Sequence, residues 1–159
     1  METSVTPAIR QLRAANAAFE LLPYPYVEHG GTRAACDALG IDEHACFKTL
    51  VMETPDKKPF VILMHGDREV SLKQLARVLN VKSVAPCDPD TAQRHSGYQV
   101  GGTSPFGLRK PMPVYAERAL LDLPAIWINA GRRGLLFKIA PALLTKLLNA
   151  KPVEVAVPS

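Results

Sequence analysis

A lysine within an otherwise apolar segment is the first residue whose position could support chemistry. Residues 44–52 read His-Ala-Cys-Phe-Lys-Thr-Leu-Val-Met, a composition typical of a strand. Side chains alternate along a strand, so we expect Lys48 to share one face with Leu50 and Met52, with Thr49 on the opposite face. Lysines on apolar faces are enriched at functional sites. The alternative is a strand-end lysine whose stem packs on Leu50 while its ammonium reaches water.

A glycine-rich segment is the second candidate. Residues 97–107 read Gly-Tyr-Gln-Val-Gly-Gly-Thr-Ser-Pro-Phe-Gly and predict a loop whose amide N–H groups could surround a carbonyl, carboxylate or phosphate oxygen. Gly97 and Gly102 have the spacing of a phosphate-binding loop, but Thr103 stands where the lysine of that motif belongs, which disfavours ATP as a ligand. A structural turn and a backbone cradle for an oxyanion both remain open.

Histidines and cysteines form no recognisable metal or nucleophile motif. The four histidines lack ligand spacing and the three cysteines are dispersed, so we expect no metal and no disulfide framework. Cys46 and His44 together could indicate a thiol nucleophile, but a small buried cysteine is the commoner arrangement. Dispersed thiols also favour a reducing compartment, and we expect a cytoplasmic protein.

The elements that must position these residues alternate irregularly along the chain. Capping residues and apolar periodicity predict helices over 7–21, 32–40, 72–79, 89–96 and 141–148. Strands are predicted over 24–29, 47–53, 60–65, 81–85, 114–116, 125–129, 135–139 and 153–157. The loops 54–59 and 130–134 each join two strands directly, which indicates hairpins. We therefore predict an α+β fold in a single domain over residues 1–159.

Composition and charge restrict the function classes. The chain has 159 residues, 47% of them hydrophobic and 21% charged, which is the balance of a globular protein. It contains no apolar run of about 20 residues and no secretory signal pattern, so we expect no membrane association. The net charge of +4 comes from the last third, where residues 109–159 hold eight basic and three acidic residues. That asymmetry fits either an anionic partner such as nucleic acid or an ordinary solvated surface.

Four segments together resemble the YbaK/prolyl-tRNA-synthetase editing-domain family of free-standing aminoacyl-tRNA deacylases. They are the strand at 47–51, the His-Gly-Asp turn at 65–67, the Gly-Gly-Thr-Ser-Pro-Phe-Gly loop at 101–107 and the Gly-Arg-Arg-Gly turn at 131–134. Their order and spacing match from about residue 6 to about residue 157. The resemblance implies a mixed, mostly antiparallel, barrel-like sheet surrounded by helices.

The resemblance also implies roles for individual residues. Lys48 corresponds to the essential family lysine that contacts the aminoacyl-adenosine end of the tRNA. The substrate pocket is expected to involve Tyr24, Tyr26, Thr49, Gly101, Gly102, Thr103, Ser104, Pro105 and Gly107. From the charge pattern, Arg109, Lys110, Arg132 and Arg133 are our candidates for phosphate contacts with the tRNA.

The expected activity is removal of a wrongly attached amino acid from tRNA, as in a Cys-tRNA(Pro) deacylase, without a cofactor. It would proceed by ester hydrolysis, or as a lyase-type reaction if a cysteine thiol cyclises. One departure concerns residues 135–139, Leu-Leu-Phe-Lys-Ile, where the YbaK members of the family carry an acidic residue near the pocket. Sister specificities for alanine, serine or threonine therefore stay open, as does a non-catalytic module that binds tRNA or a synthetase. The partners expected are aminoacyl-tRNA, tRNA(Pro) first, and prolyl-tRNA synthetase, with no DNA.

Overall fold

The structure of the protein is a computed structural model that describes residues 5–159. The five helices in this part of the chain are α1 (Pro7–Ala14), α2 (Gly31–Leu39), α3 (Leu72–Leu79), α4 (Pro89–Ser96) and α5 (Ala142–Leu148). The strands are β1 (Glu20–Pro23), β2 (Cys46–Glu53), β3 (Pro59–His65), β4 (Arg68–Val70), β5 (Ala85–Pro86), β6 (Val114–Glu117), β7 (Ile126–Arg132), β8 (Leu135–Ile139), β9 (Lys151–Val153) and β10 (Ala156–Pro158). Two short 3-10 turns lie at Glu43–Ala45 and Arg118–Asp122.

Eight of these strands form one mixed sheet. Its order is β1-β8-β7-β2-β3-β6-β9, with β5 paired to β2 beside this path, while β10 and β4 form a separate pair. Five of the strand pairings are antiparallel and three are parallel. No pairing joins β1 to β9 within residues 5–159, so hydrogen bonds do not close this sheet into a barrel. The predicted α+β class with a mixed, mostly antiparallel sheet is confirmed.

Both faces of the sheet are covered. Phe47 of β2 and Leu63 of β3 belong to the largest buried cluster, which also contains Ile9 and Leu12 of α1 and Leu144 of α5. The opposite face carries Met52, Ile62 and Met64, which pack with Leu75 and Ala76 of α3. A third cluster joins Ala35 and Cys36 of α2 to Cys46 and Leu136. The strict alternation of β2 side chains therefore directs neighbouring residues into different layers.

Both predicted hairpins are present, since β2 pairs antiparallel with β3 and β7 pairs antiparallel with β8. The first helix is shorter than predicted. It ends at Ala14 because Asn16 takes a left-handed backbone conformation, and the Ala17 N–H bonds to the Leu12 carbonyl.

Three predicted strands were also displaced. The segment predicted at 24–29 pairs earlier, as β1, because Leu21 and Leu22 supply the apolar residues opposite β8. The strand predicted at 81–85 is reduced to β5. The strand predicted at 153–157 is divided between β9 and β10, because the Val155 and Ala156 N–H groups bond to the buried Glu117 carboxylate instead. No helix within residues 5–159 is long and apolar enough to cross a membrane.

Candidate active site at the fork of the central sheet

The central sheet divides beside β2. One edge of β2 pairs with β3 along its length. On the other edge β7 pairs only with Cys46 and Phe47, and β5 pairs only with Met52 and Glu53. Residues 48–50 consequently have no strand beside them on that edge within the described part of the chain. A gap in a sheet leaves room for a ligand next to the backbone.

A cavity of about 500 Å³ opens at this fork. That volume is in the range of small-molecule sites. Its walls come from α2, β2 and β8, from α4 with the loop that follows it, and from the segments that follow β1 and β5. Seven of the predicted site residues line it, namely Tyr24, Tyr26, Lys48, Thr49, Gly101, Thr103 and Arg133. The structure thus brings together the lysine strand, the glycine loop and the arginine turn, which are far apart in sequence.

Lys48 and Thr49 reach the cavity from opposite faces of β2. The Lys48 side chain is 23% exposed, and its Nζ lies 3.5 Å from Glu69 Oε1 on β4. The Glu69 side chain is 60% exposed. Because solvent screens such a pair, the Lys48–Glu69 ion pair holds the ammonium weakly. Thr49 Oγ1 is buried and has no hydrogen-bond partner within residues 5–159. A cation and an unpartnered hydroxyl are therefore both available to a ligand.

The glycine loop contributes main-chain groups. Gly102 N–H bonds to the Gln99 carbonyl, so it is used within the loop. In the described residues the N–H groups of Gly101 and Thr103 have no such partner, and both residues line the cavity. Gly102 itself makes a close approach possible, because a Cβ there would lie 2.7 Å from the Arg133 amide nitrogen. The loop and the β7–β8 turn could not touch with a larger residue at this position.

Asn129 joins the loop to that turn and was not predicted as a site residue. Its Nδ2 donates to the Gly101 carbonyl at 3.2 Å, and its Oδ1 accepts from Gly131 N–H at 2.7 Å and Arg132 N–H at 3.0 Å. The available signal was its place immediately before a Gly-Arg-Arg-Gly turn, where asparagine commonly bonds to the following backbone.

Three predicted pocket residues lie elsewhere. Ser104 is fully buried, and its Oγ accepts from Phe106 N–H at 3.3 Å. Pro105 and Gly107 line a separate hollow beside α1 and α5. The Gly107 N–H donates to Gln11 Oε1 at 2.6 Å, which fixes the end of the loop on α1. These residues support the loop and do not line the cavity.

The predicted aromatic and basic residues separate into two groups. Tyr24, Tyr26 and Arg133 line the cavity, whereas Arg109, Lys110 and Arg132 are exposed outside it. Burial raises the pKa of Tyr24 above its usual value, so this phenol stays neutral at pH 7.

Among residues 5–159 the cavity offers no activated thiol. A hydrogen bond with Cys36 and burial raise the pKa of Cys46 far above its ordinary value. Burial and the nearby Glu53 carboxylate raise the pKa of Cys87 to about 11. Both thiols line the cavity and stay protonated at pH 7, and a protonated thiol is a poor nucleophile.

Two histidines, His44 just before β2 and His65 at the end of β3, form a hydrogen-bonded cluster with Asp67 that the sequence spacing did not reveal. One ligand-type atom from each of His44, His65 and Asp67 lies within 4.8 Å of the others. The two imidazole rings are stacked, with centroids 3.9 Å apart and planes 7° apart. Ring nitrogens direct their lone pairs within the ring plane, so two parallel stacked rings cannot aim at one ion. His65 Nδ1 donates to the His44 carbonyl at 2.6 Å, and His44 Nδ1 lies 2.9 Å from Asp67, so the arrangement fits hydrogen bonding.

Comparisons with known proteins identify the family of this chain. The family model of the aminoacyl-tRNA editing domain matches residues 30–147. An Enterococcus faecalis protein named "Putative Cys-tRNA(Pro)/Cys-tRNA(Cys) deacylase EbsC" is 29% identical over 151 residues, which are 94% of this chain and 92% of that protein. A proline–tRNA ligase of Desulfovibrio desulfuricans is 34% identical over 82 residues, but these are 52% of this chain and 14% of the ligase.

A solved structure described as a "putative trans-editing enzyme for prolyl tRNA synthetase" superimposes with a TM-score of 0.82 at 21% identity, covering 97% of this chain and 99% of that one. At this identity the likeness shows the fold. The fold and the forked-sheet cavity, together with the family match, define the class: this chain belongs to the aminoacyl-tRNA editing domain family.

Proposed function

We propose that this chain is a trans-editing deacylase that removes a wrongly attached amino acid from tRNA, with Cys-tRNA(Pro) as its first candidate substrate. One observation carries the proposal: Lys48, Thr49 and the amides of the Gly101 loop meet at a single cavity of about 500 Å³. The name of the Enterococcus faecalis relative supports the choice of substrate. The whole described chain, with helices on both faces of one sheet, would act as a single deacylase domain in the cytoplasm.

The chemistry required is cleavage of an aminoacyl ester. Both cavity thiols stay protonated, and we assign the attacking group to water or to the substrate. In hydrolysis, the water oxygen bonds to the ester carbonyl carbon, the carbon–oxygen bond to the ribose breaks, and the ribose oxygen takes a proton. With cysteine, the substrate's own sulfur can form the new bond to that carbon, and the thiol proton passes to the ribose oxygen. In both routes negative charge develops on the carbonyl oxygen.

Stabilisation of that charge falls to positive and donor groups of the cavity. The Lys48 ammonium is the cation on β2, and the N–H groups of Gly101 and Thr103 are donors without other partners among residues 5–159. Preorganised donors of this kind stabilise a tetrahedral intermediate more than the planar ester. We assign Lys48 as the catalytic residue and these two loop residues as its partners.

The two faces of β2 present different groups to the amino acid. Ala35, Cys46 and Leu136 are buried residues of one apolar cluster that also lines the cavity. Leu136 lies on β8, the strand that in the YbaK members carries an acidic residue, and it makes this wall apolar. This wall lies on the Lys48 face of β2, whereas the unpartnered Thr49 hydroxyl lies on the other face and can pair with the hydroxyl of serine or threonine.

The deacylation assay tests this function. tRNA(Pro) charged separately with labelled cysteine, alanine, serine or threonine is incubated with the wild-type protein, and loss of label is followed over time. We expect rapid loss of cysteine, and a decrease of about 100-fold or more in Lys48→Ala. Lys48→Arg keeps the charge but replaces a compact ammonium by a planar fork, so we expect partial activity.

The controls separate catalysis from binding. Circular dichroism must show that Lys48→Ala keeps the wild-type fold. A Lys48→Ala rate equal to that of the wild type would contradict the catalytic role of Lys48. Absence of label loss from all four substrates, with tRNA binding retained, would favour a module that binds tRNA or prolyl-tRNA synthetase without turnover.

A further inference from the structure

The edge of β2 that faces the cavity carries free main-chain groups at one residue. The Cys46 carbonyl accepts from Gly66 N–H on the β3 side, whereas the Val51 carbonyl accepts from Cys87 N–H on the β5 side. The N–H and C=O of successive strand residues point alternately to opposite edges. Thr49 therefore points its N–H and C=O to the same edge as Val51, toward the fork.

Nothing in the described structure pairs with these groups. On this edge β7 pairs with β2 no further than Phe47. Pairing resumes at Val51, whose carbonyl accepts from Cys87 N–H next to β5. Thr49 lies opposite Leu63 of β3, but its N–H and C=O point away from β3, and within residues 5–159 no turn, loop or side-chain group bonds to them. The Thr49 Oγ1 beside them is buried and also without a partner. Unpaired polar groups at a cavity wall favour a ligand that can pair with them.

The gap has the length of one amino-acid residue. Edge-facing positions on a strand repeat every two residues, about 6.6 Å apart, and Thr49 is the single such position between Phe47 and Val51. It therefore offers one donor and one acceptor. An aminoacyl group carries one carbonyl acceptor and one α-ammonium donor, the complementary set.

We propose that the aminoacyl group of the substrate binds as a one-residue extension of the sheet, antiparallel to β2 and opposite Thr49. The ester carbonyl oxygen accepts from Thr49 N–H, and the α-ammonium group donates to the Thr49 carbonyl. Both bonds can form at once because the two residues of a hydrogen-bonded antiparallel pair exchange two hydrogen bonds. This inference rests on the proposed function and names how that site holds its substrate.

The orientation of the amino-acid side chain follows. Side chains of directly opposed residues lie on the same face of a sheet, so the side chain of the ligand is placed on the face of Thr49. Lys48 is on the opposite face. The main chain at Thr49 thus polarises the ester carbonyl for any amino acid, and the residues on its face select the side chain.

Amide hydrogen exchange of the full chain, followed by NMR, tests the proposal. The probe is 3′-aminoacylamino-3′-deoxyadenosine, which has an amide in place of the ester and carries the amino acid selected in the deacylation assay. In the free protein we expect the Thr49 amide to exchange at least about tenfold faster than those of Lys48 and Leu50, which face β3. At saturating probe the Thr49 amide should slow by about tenfold or more.

A second probe without the α-amino group isolates the other bond. It should still slow exchange at Thr49 but bind about tenfold more weakly, because the bond to the Thr49 carbonyl is lost. Thr49→Val removes the hydroxyl and keeps the main chain, so the slowing should persist. If saturating probe leaves Thr49 exchange unchanged, or if Thr49→Val abolishes the slowing, the proposal is wrong. Retained deacylation in the wild type would show that the proposed function stands despite that failure.

Discussion

Arg133 lies over the ring of Tyr26, with its guanidinium carbon 5.0 Å from the ring centroid. Its Nε also donates to the Val100 carbonyl at 2.9 Å. One side chain therefore connects the β7–β8 turn to the segment after β1 and to the loop after α4. These three segments form the rim of the cavity, so this contact sets its opening.

Replacing Arg133 by lysine should loosen this rim while keeping the charge. Lysine cannot stack flat on Tyr26 or reproduce the Nε bond to Val100. An exposed cation–π contact contributes about 0.5–1 kcal/mol, so we expect KM for charged tRNA to rise about two- to fivefold with kcat nearly unchanged. Steady-state deacylation kinetics measure both parameters. Arg132→Lys, on the same turn but exposed and outside the cavity, is the matched control, and an equal rise in KM in both variants would contradict the role of the stacking contact.

The β2 strand shows how far the sequence determines the site. Alternation correctly separated Lys48 from Thr49, and the hairpin with β3 followed from a polar loop between two apolar runs. The fork was beyond prediction, because it depends on where β7 and β5 pair with β2. Strand partners far apart in sequence are chosen by the packing of the whole sheet, and two-residue pairings such as β5 leave little local pattern.

The glycine loop shows the same limit. Its composition predicted free amides, but the Gly102 N–H is used by Gln99 and that of Gly107 by Gln11 on α1. Only tertiary contacts decide which glycines support the loop and which face the cavity. The sequence shows that the segment around Leu136 lacks a carboxylate. The position of Leu136 in the cavity wall depends on the register of β8 beside β1 and β7, which the sequence does not predict.

Gly107 should be far less tolerant of substitution than Gly40, although the two have nearly the same backbone conformation. Their φ angles are +65° and +66°, but a Cβ at Gly107 would collide with the Pro7 backbone, whereas none of the surrounding atoms lies within 4 Å of one at Gly40. We expect Gly40→Ala to lower the free energy of unfolding by about 1 kcal/mol, the cost of the left-handed conformation. Gly107→Ala adds the collision and should cost about 3 kcal/mol or more. Urea denaturation measures both, and equal losses would contradict the close approach of the loop to α1.

Stability should fall as the pH drops below 6.5, partly because of His65. Burial, partly offset by the hydrogen bond to the His44 carbonyl, lowers the pKa of His65 below its ordinary value of 6.5. Between that value and the folded pKa, the unfolded chain binds the additional proton, so the free energy of unfolding decreases with falling pH. The slope from one such group is at most about 1.4 kcal/mol per pH unit and disappears below the folded pKa.

Urea unfolding of wild type and His65→Asn between pH 7.5 and 5 measures this contribution. Asparagine can still donate to the His44 carbonyl but does not titrate, so the variant should show a shallower slope. His95→Asn is the control: burial and the nearby Lys110 and Arg94 lower the pKa of His95 too, but it is more exposed and should contribute less. Equal slopes in the wild type and His65→Asn would contradict the assignment.

Arg109 and Lys110 should contribute to tRNA binding through phosphate contacts. Both are exposed and follow the glycine loop, and their N–H groups bond to the carbonyls of Ser96 and His95 at the end of α4. Each phosphate contact releases counterions and contributes about 0.7–0.9 to the slope of log affinity against log salt. Replacing both by glutamine should therefore make the slope shallower by about 1–2, with the order of preference among amino acids unchanged. Binding of uncharged tRNA between 50 and about 200 mM salt measures the slope.

Lys73 and Arg77 on α3, which take no part in the cavity wall, give the matched double variant. We expect the salt slope of this control variant to equal that of the wild type. An equally shallow slope in both double variants would mean that Arg109 and Lys110 act only through the net charge of the protein.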